Sequence, residues 1–400
     1  MDTVTMRFPH LSDMIFDHLD NQSLINCKIV SKTWSIYIRE QKFYGIRIIS
    51  EKVKKYQKLT KPWFEVFKKA NTETIMELKD SFGQIKEARE QNPNEYNNEI
   101  TPLHVSASLG NISLYESIHK FAQNKQPRCD IGNEPVINAI HHGHVEMALF
   151  IIEKMVDKNP RANCGCTVLH TAARHGYVEI FESILKHLVD KNPKNKCEDA
   201  TPLHTAAIFG HISVCEFIMK HIDEKNPSDA DGWTPFHYAA ENGRFDVCEL
   251  YLKTLENKYP RTNSGHTPLH MAAANGHVKV CILILQSIES KNPQNHIGEK
   301  NPSAANGWTP FHYAAESGRF EICELYLKTI KNKHPRSNDG DTPLHMAAAN
   351  GHLKICILIL QSIKSKNPRN HFGQTPLGAA REENQFKVCW LLEKIYNCVI

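Results

Sequence analysis

Apolar positions along most of the chain fall three and four residues apart, the spacing of one face of an α-helix. Ile212, Cys215, Ile218, Met219 and Ile222 form one such stripe, with polar residues between them. The stripe recurs. Ahead of each copy stands a shorter run opened by Thr-Pro-Leu-His or a near relative. Its first position falls at Thr101, Glu134, Thr167, Thr201, Thr234, Thr267, Thr309, Thr342 and Thr375. The period is about 33 residues, with one longer gap between Thr267 and Thr309. The Glu134 copy, Glu-Pro-Val-Ile, is degenerate but keeps the register.

Each column has a physical reason. Threonine caps a helix, because its hydroxyl can accept a bond from an orphan N–H. Proline next to it suits the first helical position, where no backbone donor is needed. Small residues such as Ala206-Ala207 follow and allow close helix approach. A glycine then ends the helix in the left-handed region, at Gly110, Gly143, Gly176, Gly210, Gly243, Gly276, Gly318 and Gly351. The ninth copy has Asn384 there. The apolar stripe is a second helix, stopped by Pro127, Pro160, Pro193, Pro227, Pro260, Pro293, Pro335 or Pro368. A polar segment with Gly232, Gly265, Gly340 or Gly373 turns the chain into the next unit.

No such unit can bury its apolar face alone, so the units must stack. Helix, tight turn, helix and extended finger at this period resemble the ankyrin repeat, from Thr101 to Ile400. The resemblance implies an all-α solenoid of about nine repeats over residues 99–400. Residues 226–296 and 301–371 match at most positions, as a tandem duplication of two repeats would. The long gap is an insertion after Gly298 that includes Asn301-Pro302. It reads as a looped-out duplication scar, since long surface insertions cost little stability. The alternative is a lengthened finger that touches a partner.

Residues 8–38 follow another pattern. Phe8-Pro9 precedes Met14, Ile15 and Leu19. A polar stretch leads to Leu24, Ile25, Cys27, Ile29 and Val30, then Ser31-Lys32 and Trp34. Short helices separated by polar turns, with this much apolar surface, suggest a compact three-helix unit seeking a partner. Phe8-Pro9, Ile15-Phe16, Leu19, Leu24, Cys27 and Val30-Ser31-Lys32 with Trp34 resemble an F-box, over residues 5–45. The resemblance implies docking on the small adaptor subunit of an SCF-type cullin–RING ubiquitin ligase. Phe8, Pro9, Ile15, Leu19, Leu24, Val30 and Trp34 are the expected docking residues, with internal core the equal alternative for Trp34. The alternative for the whole segment is a helical cap. Residues 46–98, with Trp63, Phe64, Phe67 and an apolar pattern from Ile75 to Ile85, read as a helical linker and atypical capping repeat.

The remaining chemistry changes this picture little. Among 400 residues, Lys and Arg number 48 and Asp and Glu 44. That balance is too mild to point to nucleic acid. The lysines between Lys52 and Lys69 alternate with apolar positions and read as a solvated face. Residues 1–10 lack the apolar core of a signal peptide, and no apolar run reaches membrane-spanning length. Six cysteines (Cys215, Cys248, Cys281, Cys323, Cys356 and Cys389) share one column with Tyr115, Ala148 and Phe181. Such a column is for packing, with cysteine acting as a small hydrophobe. A reducing cytoplasmic compartment, or the nucleus, is expected. The recurring histidines read as hydrogen-bond partners between loops. Cys164, Cys166 and His170 form the one cluster worth testing as a metal site, but the spacing is not the usual Cys-x2-Cys. No phosphate-binding glycine loop, Gly-x-Ser-x-Gly or His-Glu-x-x-His is present. Neither catalytic residues nor a cofactor or metal is expected.

The ankyrin resemblance implies protein binding through finger tips and the face of the first helices. The positions concerned are Leu109, His142, Arg174, His175, Ile208, Phe209, Glu241, Asn242, Glu316 and Ser317, with Trp233 and Trp308 on fingers. Both Trp rings could instead cover neighbouring fingers. The combined expectation is a monomeric substrate-recognition subunit of a ubiquitin ligase, holding an unidentified protein. A scaffold or inhibitor with no ligase role is the alternative.

Overall fold

The computed structural model describes residues 101–122, 124–129, 131–289 and 300–397. The expected docking residues from Phe8 to Trp34, the segment 46–98 and the start of the insertion at Glu299 lie outside them. The described residues form eighteen α-helices and no strands. These are α1 (Pro102–Ser108), α2 (Ile112–Phe121), α3 (Pro135–His141), α4 (Val145–Lys154), α5 (Val168–His175) and α6 (Val178–Ile184). They continue with α7 (Pro202–Phe209), α8 (Ile212–His221), α9 (Pro235–Glu241), α10 (Phe245–Thr254), α11 (Pro268–Asn275) and α12 (Val278–Glu289). The last six are α13 (Pro310–Glu316), α14 (Phe320–Thr329), α15 (Pro343–Ala349), α16 (Leu353–Ser362), α17 (Pro376–Glu382) and α18 (Phe386–Asn397).

Two compact units divide these elements. One holds α1–α4, the start of α5 and nearly all of α6. There α1 packs on α2 and α3, and α3 on α4. The other holds residues Ala173–Val178 and Val189–Ile400. Within it the first helices α7, α9, α11, α13, α15 and α17 stack in series, and the second helices α8 to α18 form a parallel row. Ala206, Ala207, Ala239, Ala240, Ala272 and Ala273 are fully buried between first helices. Small side chains at those contacts bring helix axes close.

Anchor histidines hold the start of most first helices; α3, which opens after Glu134, and α17, which opens after Thr375, have none. In the expected cap, the threonine hydroxyl would meet a helix N–H. That occurs at Thr375, whose Oγ1 accepts from the Gly378 N–H at 3.2 Å. At Thr101, Thr201, Thr234, Thr267, Thr309 and Thr342 a histidine occupies the third helical position and its ring reaches back to the threonine as a capping box. The Thr234 N–H donates to Nδ1 of His237 at 3.1 Å, with the Thr234 hydroxyl 3.0 Å from the same nitrogen. The other ring nitrogen, Nε2, donates to the His266 carbonyl of the next finger at 3.0 Å. The carbonyl can only accept, which fixes the neutral tautomer with its proton on Nε2. His104, His204, His270, His312 and His345 repeat the arrangement. Burial pushes His237 and His312 down to about 4 and His270 to about 3.

A second histidine set faces the other way. Nε2 of His277, at the start of α12, donates back to the Glu241 carbonyl at 2.7 Å, and His352 does the same to Glu316. Arg244 and Arg319 take that place in alternate repeats. This explains the turn glycines twice over. Gly243 has φ +66°, and a Cβ there would stand 2.5 Å from the His277 ring. The histidines therefore join repeats, as their placement between loops implied. Fingers are joined too, by single backbone bonds such as Ala230 N–H to the Glu198 carbonyl and Ala305 N–H to the Ser264 carbonyl.

Candidate protein-binding surface

The helix faces turned away from the core carry the expected binding residues in two groups. The first lies where α5 ends and α7 ends. Phe209 is 36% exposed. The Arg174 guanidinium lies over its ring, 4.9 Å from the centroid, and His211 stacks beside it. His175, half-buried, stacks on Tyr177 at 5.9 Å. Phe209 is thus an accessible apolar side chain already partnered by a cation on one face.

The second group recurs with the duplication. Trp233 and Trp308 are half-buried. Trp233 packs on its own repeat's Tyr238 and His237, with ring centroids 5.1 and 6.0 Å away. Trp308 packs on Tyr313 and His312 at 5.0 and 6.1 Å. Glu241 and Glu316 stand one turn further along the same helices. Both carboxyls are half-buried, and burial alone shifts both upward. Tyr238 and Tyr313 were not singled out from the sequence. The available signal was helical spacing, because each sits three residues before a glutamate already assigned to this face.

The two tyrosines differ in what they hold. The Tyr238 hydroxyl donates to Oδ2 of Asp229 at 2.8 Å, while Oδ1 of Asp229 accepts from the backbone N–H groups of Asp231 and Trp233. The Tyr313 hydroxyl instead meets Nε2 of His266 at 2.7 Å. The aspartate at the first position has become Ala304 in the second copy.

The other candidate chemistry resolves into packing. Cys215, Cys248, Cys281, Cys323 and Cys356 are buried, with Cys389 partly covered, and none of the ten cysteines among the described residues is in a disulfide. Burial pushes the Cys215, Cys281, Cys323 and Cys356 thiols up to about 12, far from the reactive thiolate form. Nδ1 of His170 is taken by the Thr167 N–H and hydroxyl. Sγ of Cys164 accepts from the Cys166 N–H at 3.5 Å. Among the described residues, no group of three or more His, Cys, Asp or Glu is placed to hold a metal ion. No described helix is long and apolar enough to cross a membrane.

Two family models match the chain. "Ankyrin repeats (3 copies)" matches in overlapping placements at residues 103–195, 169–258, 222–297, 250–334 and 325–399. "F-box domain" matches residues 8–45. No curated protein matches the chain significantly.

Proposed function

The chain belongs to the ankyrin-repeat family and carries an F-box at its N-terminus, and from that premise we propose that it is a substrate-recognition subunit of an SCF-type cullin–RING ubiquitin ligase. F-box and ankyrin repeats together make a protein-interaction module, and both families are typically non-catalytic. The observation that carries the finer reading is the pairing itself. One segment of a kind that binds ligase adaptors precedes a repeat array of a kind that binds protein targets.

On this reading Phe8, Pro9, Ile15, Leu19, Leu24, Val30 and Trp34 face the adaptor. The array holds the target through Arg174, His175, Phe209, Trp233, Glu241, Trp308 and Glu316. The chain supplies proximity: a held target meets the conjugating enzyme at a raised effective concentration. It acts in the cytoplasm or nucleus, as a monomer before assembly, without cofactor or metal. The test is co-purification with the adaptor, comparing the intact chain with one lacking residues 1–45. Retention by the intact chain alone supports the reading. Retention by neither, with both folded, leaves a binding scaffold or inhibitor with no ligase role.

A further inference from the structure

The duplicated aromatic group has a charge environment that specifies its ligand. Trp233 and Tyr238 present tilted rings 5.1 Å apart. Glu241 lies one turn along α9 from Tyr238. Asp229, held by the Tyr238 hydroxyl, and Glu198 of the preceding finger complete an acidic surround that acts electrostatically on that tyrosine. Among the described residues no cation pairs with the Glu241 or Glu316 carboxylate, although both are half-buried. A half-buried carboxylate without a counter-ion is poorly solvated, and a cation arriving from a partner would relieve it. Aromatic faces beside it attract the same kind of group.

We propose that Trp233, Tyr238 and Glu241 form a receptor for a basic side chain, lysine or arginine, of the bound protein, and that Trp308, Tyr313 and Glu316 form a second, weaker one. The proposal rests on the reading of this face as the target-binding surface and names the chemistry of the target. The second receptor is weaker because its surround has lost acid. Ala304 and Asn306 replace Asp229 and Asp231, and Tyr313 is held by His266.

The spacing follows from the stack. Helices α9, α11 and α13 pack in series, and neighbouring axes lie roughly 8–10 Å apart. Two steps separate the receptors by on the order of 20 Å, which an extended chain spans in about six residues. The ligand is thus an extended segment with two basic residues about six apart. Between them it passes Met271, the residue of α11 that matches Tyr238 and Tyr313 in register.

The probe is a fluorescein-labelled peptide with two arginines six residues apart in a Gly/Ser background, titrated against the full chain by anisotropy. Its control replaces both arginines with citrulline, which keeps the shape and removes the charge. The arginine peptide should bind at least about tenfold more tightly. Glu241→Gln should weaken it about fivefold and Glu316→Gln about twofold, while Glu383→Gln on the exposed end of the array leaves it unchanged. Among the described residues neither glutamate side chain makes a hydrogen bond or ion pair, while their backbone carbonyls accept from His277 and His352. Equal binding of the two peptides overturns the proposal. So does unchanged binding by the Glu241→Gln, Glu316→Gln double variant. The assay contains no ligase adaptor, so its failure is separate from failure of adaptor capture.

Discussion

Residues 226–296 and 301–371 are nearly the same sequence placed twice, and they show which positions this array protects and which it varies. Inside, the copies agree. Phe236 stacks on Tyr251 at 5.6 Å, and Phe311 stacks on Tyr326 at 5.8 Å, all four fully buried. Core differences are conservative apolar exchanges, such as Val247 for Ile322 and Val280 for Ile355. Outside, charge is rewritten. Asp229 and Asp231 become Ala304 and Asn306, Glu256 and Glu289 become Lys331 and Lys364, and His266 becomes Asp341. A repeat must fit its neighbours whatever it binds, so packing is common to both copies. Rim residues answer only to solvent or a partner, and there the copies have diverged.

The comparison is broken most severely through the core. Phe236→Ala and Phe311→Ala should each cost about 3–5 kcal/mol, from lost burial and the cavity left behind. Denaturant unfolding should give the two variants similar losses; a gap of several kcal/mol would mean the copies are not equivalent inside. Acid comes next. His237 and His312 are held at about 4, below the ordinary histidine value of 6.5. Above pH 6.5 both folded and unfolded forms are neutral, and stability is fully present. As pH falls from about 6.5 to about 4 the unfolded chain takes up protons first, so stability drops. Each histidine contributes on the order of 3 kcal/mol to that drop. The slope of unfolding free energy against pH should be shallower, by similar amounts, in His237→Gln and His312→Gln.

Smaller effects sharpen the contrast at the rim. Asp229→Ala converts the first copy to the second's sequence at that position. It removes an acceptor used by three donors and should cost about 1–2 kcal/mol by thermal unfolding. The smallest change goes the other way. The hydroxyls of Tyr251 and Tyr326 are buried without a hydrogen-bond partner. Tyr251→Phe and Tyr326→Phe should each stabilise by about 1 kcal/mol, equally in both copies.

Much of the fold was legible because its constraints are local. Thr-Pro marks a helix start, glycine its left-handed end and proline the close of the second helix. The cysteine column was legible as packing because Tyr115, Ala148 and Phe181 share it. Histidine's capping role was half legible. The placement suggested loop-joining bonds, but the Thr–His capping box depends on a ring at the third helical position. The binding surface was least legible. Trp233 and Glu241 stood out as residue types, but Tyr238 looked like an ordinary helix residue. Its importance comes from Asp229 and Glu198, brought beside it by the finger turn and by the neighbouring repeat. Position in one repeat says which face a residue occupies, whereas a neighbour's side chain decides what that face recognises.

An adaptor-binding N-terminal segment and an array that binds a basic target would make this a two-handed molecule. Sedimentation of the intact chain with adaptor and labelled arginine peptide together tests it most directly. One complex should contain all three, and a chain lacking residues 1–45 should keep the peptide and lose the adaptor. Peptide and adaptor that exclude each other, or an adaptor that never joins the folded intact chain, would contradict it.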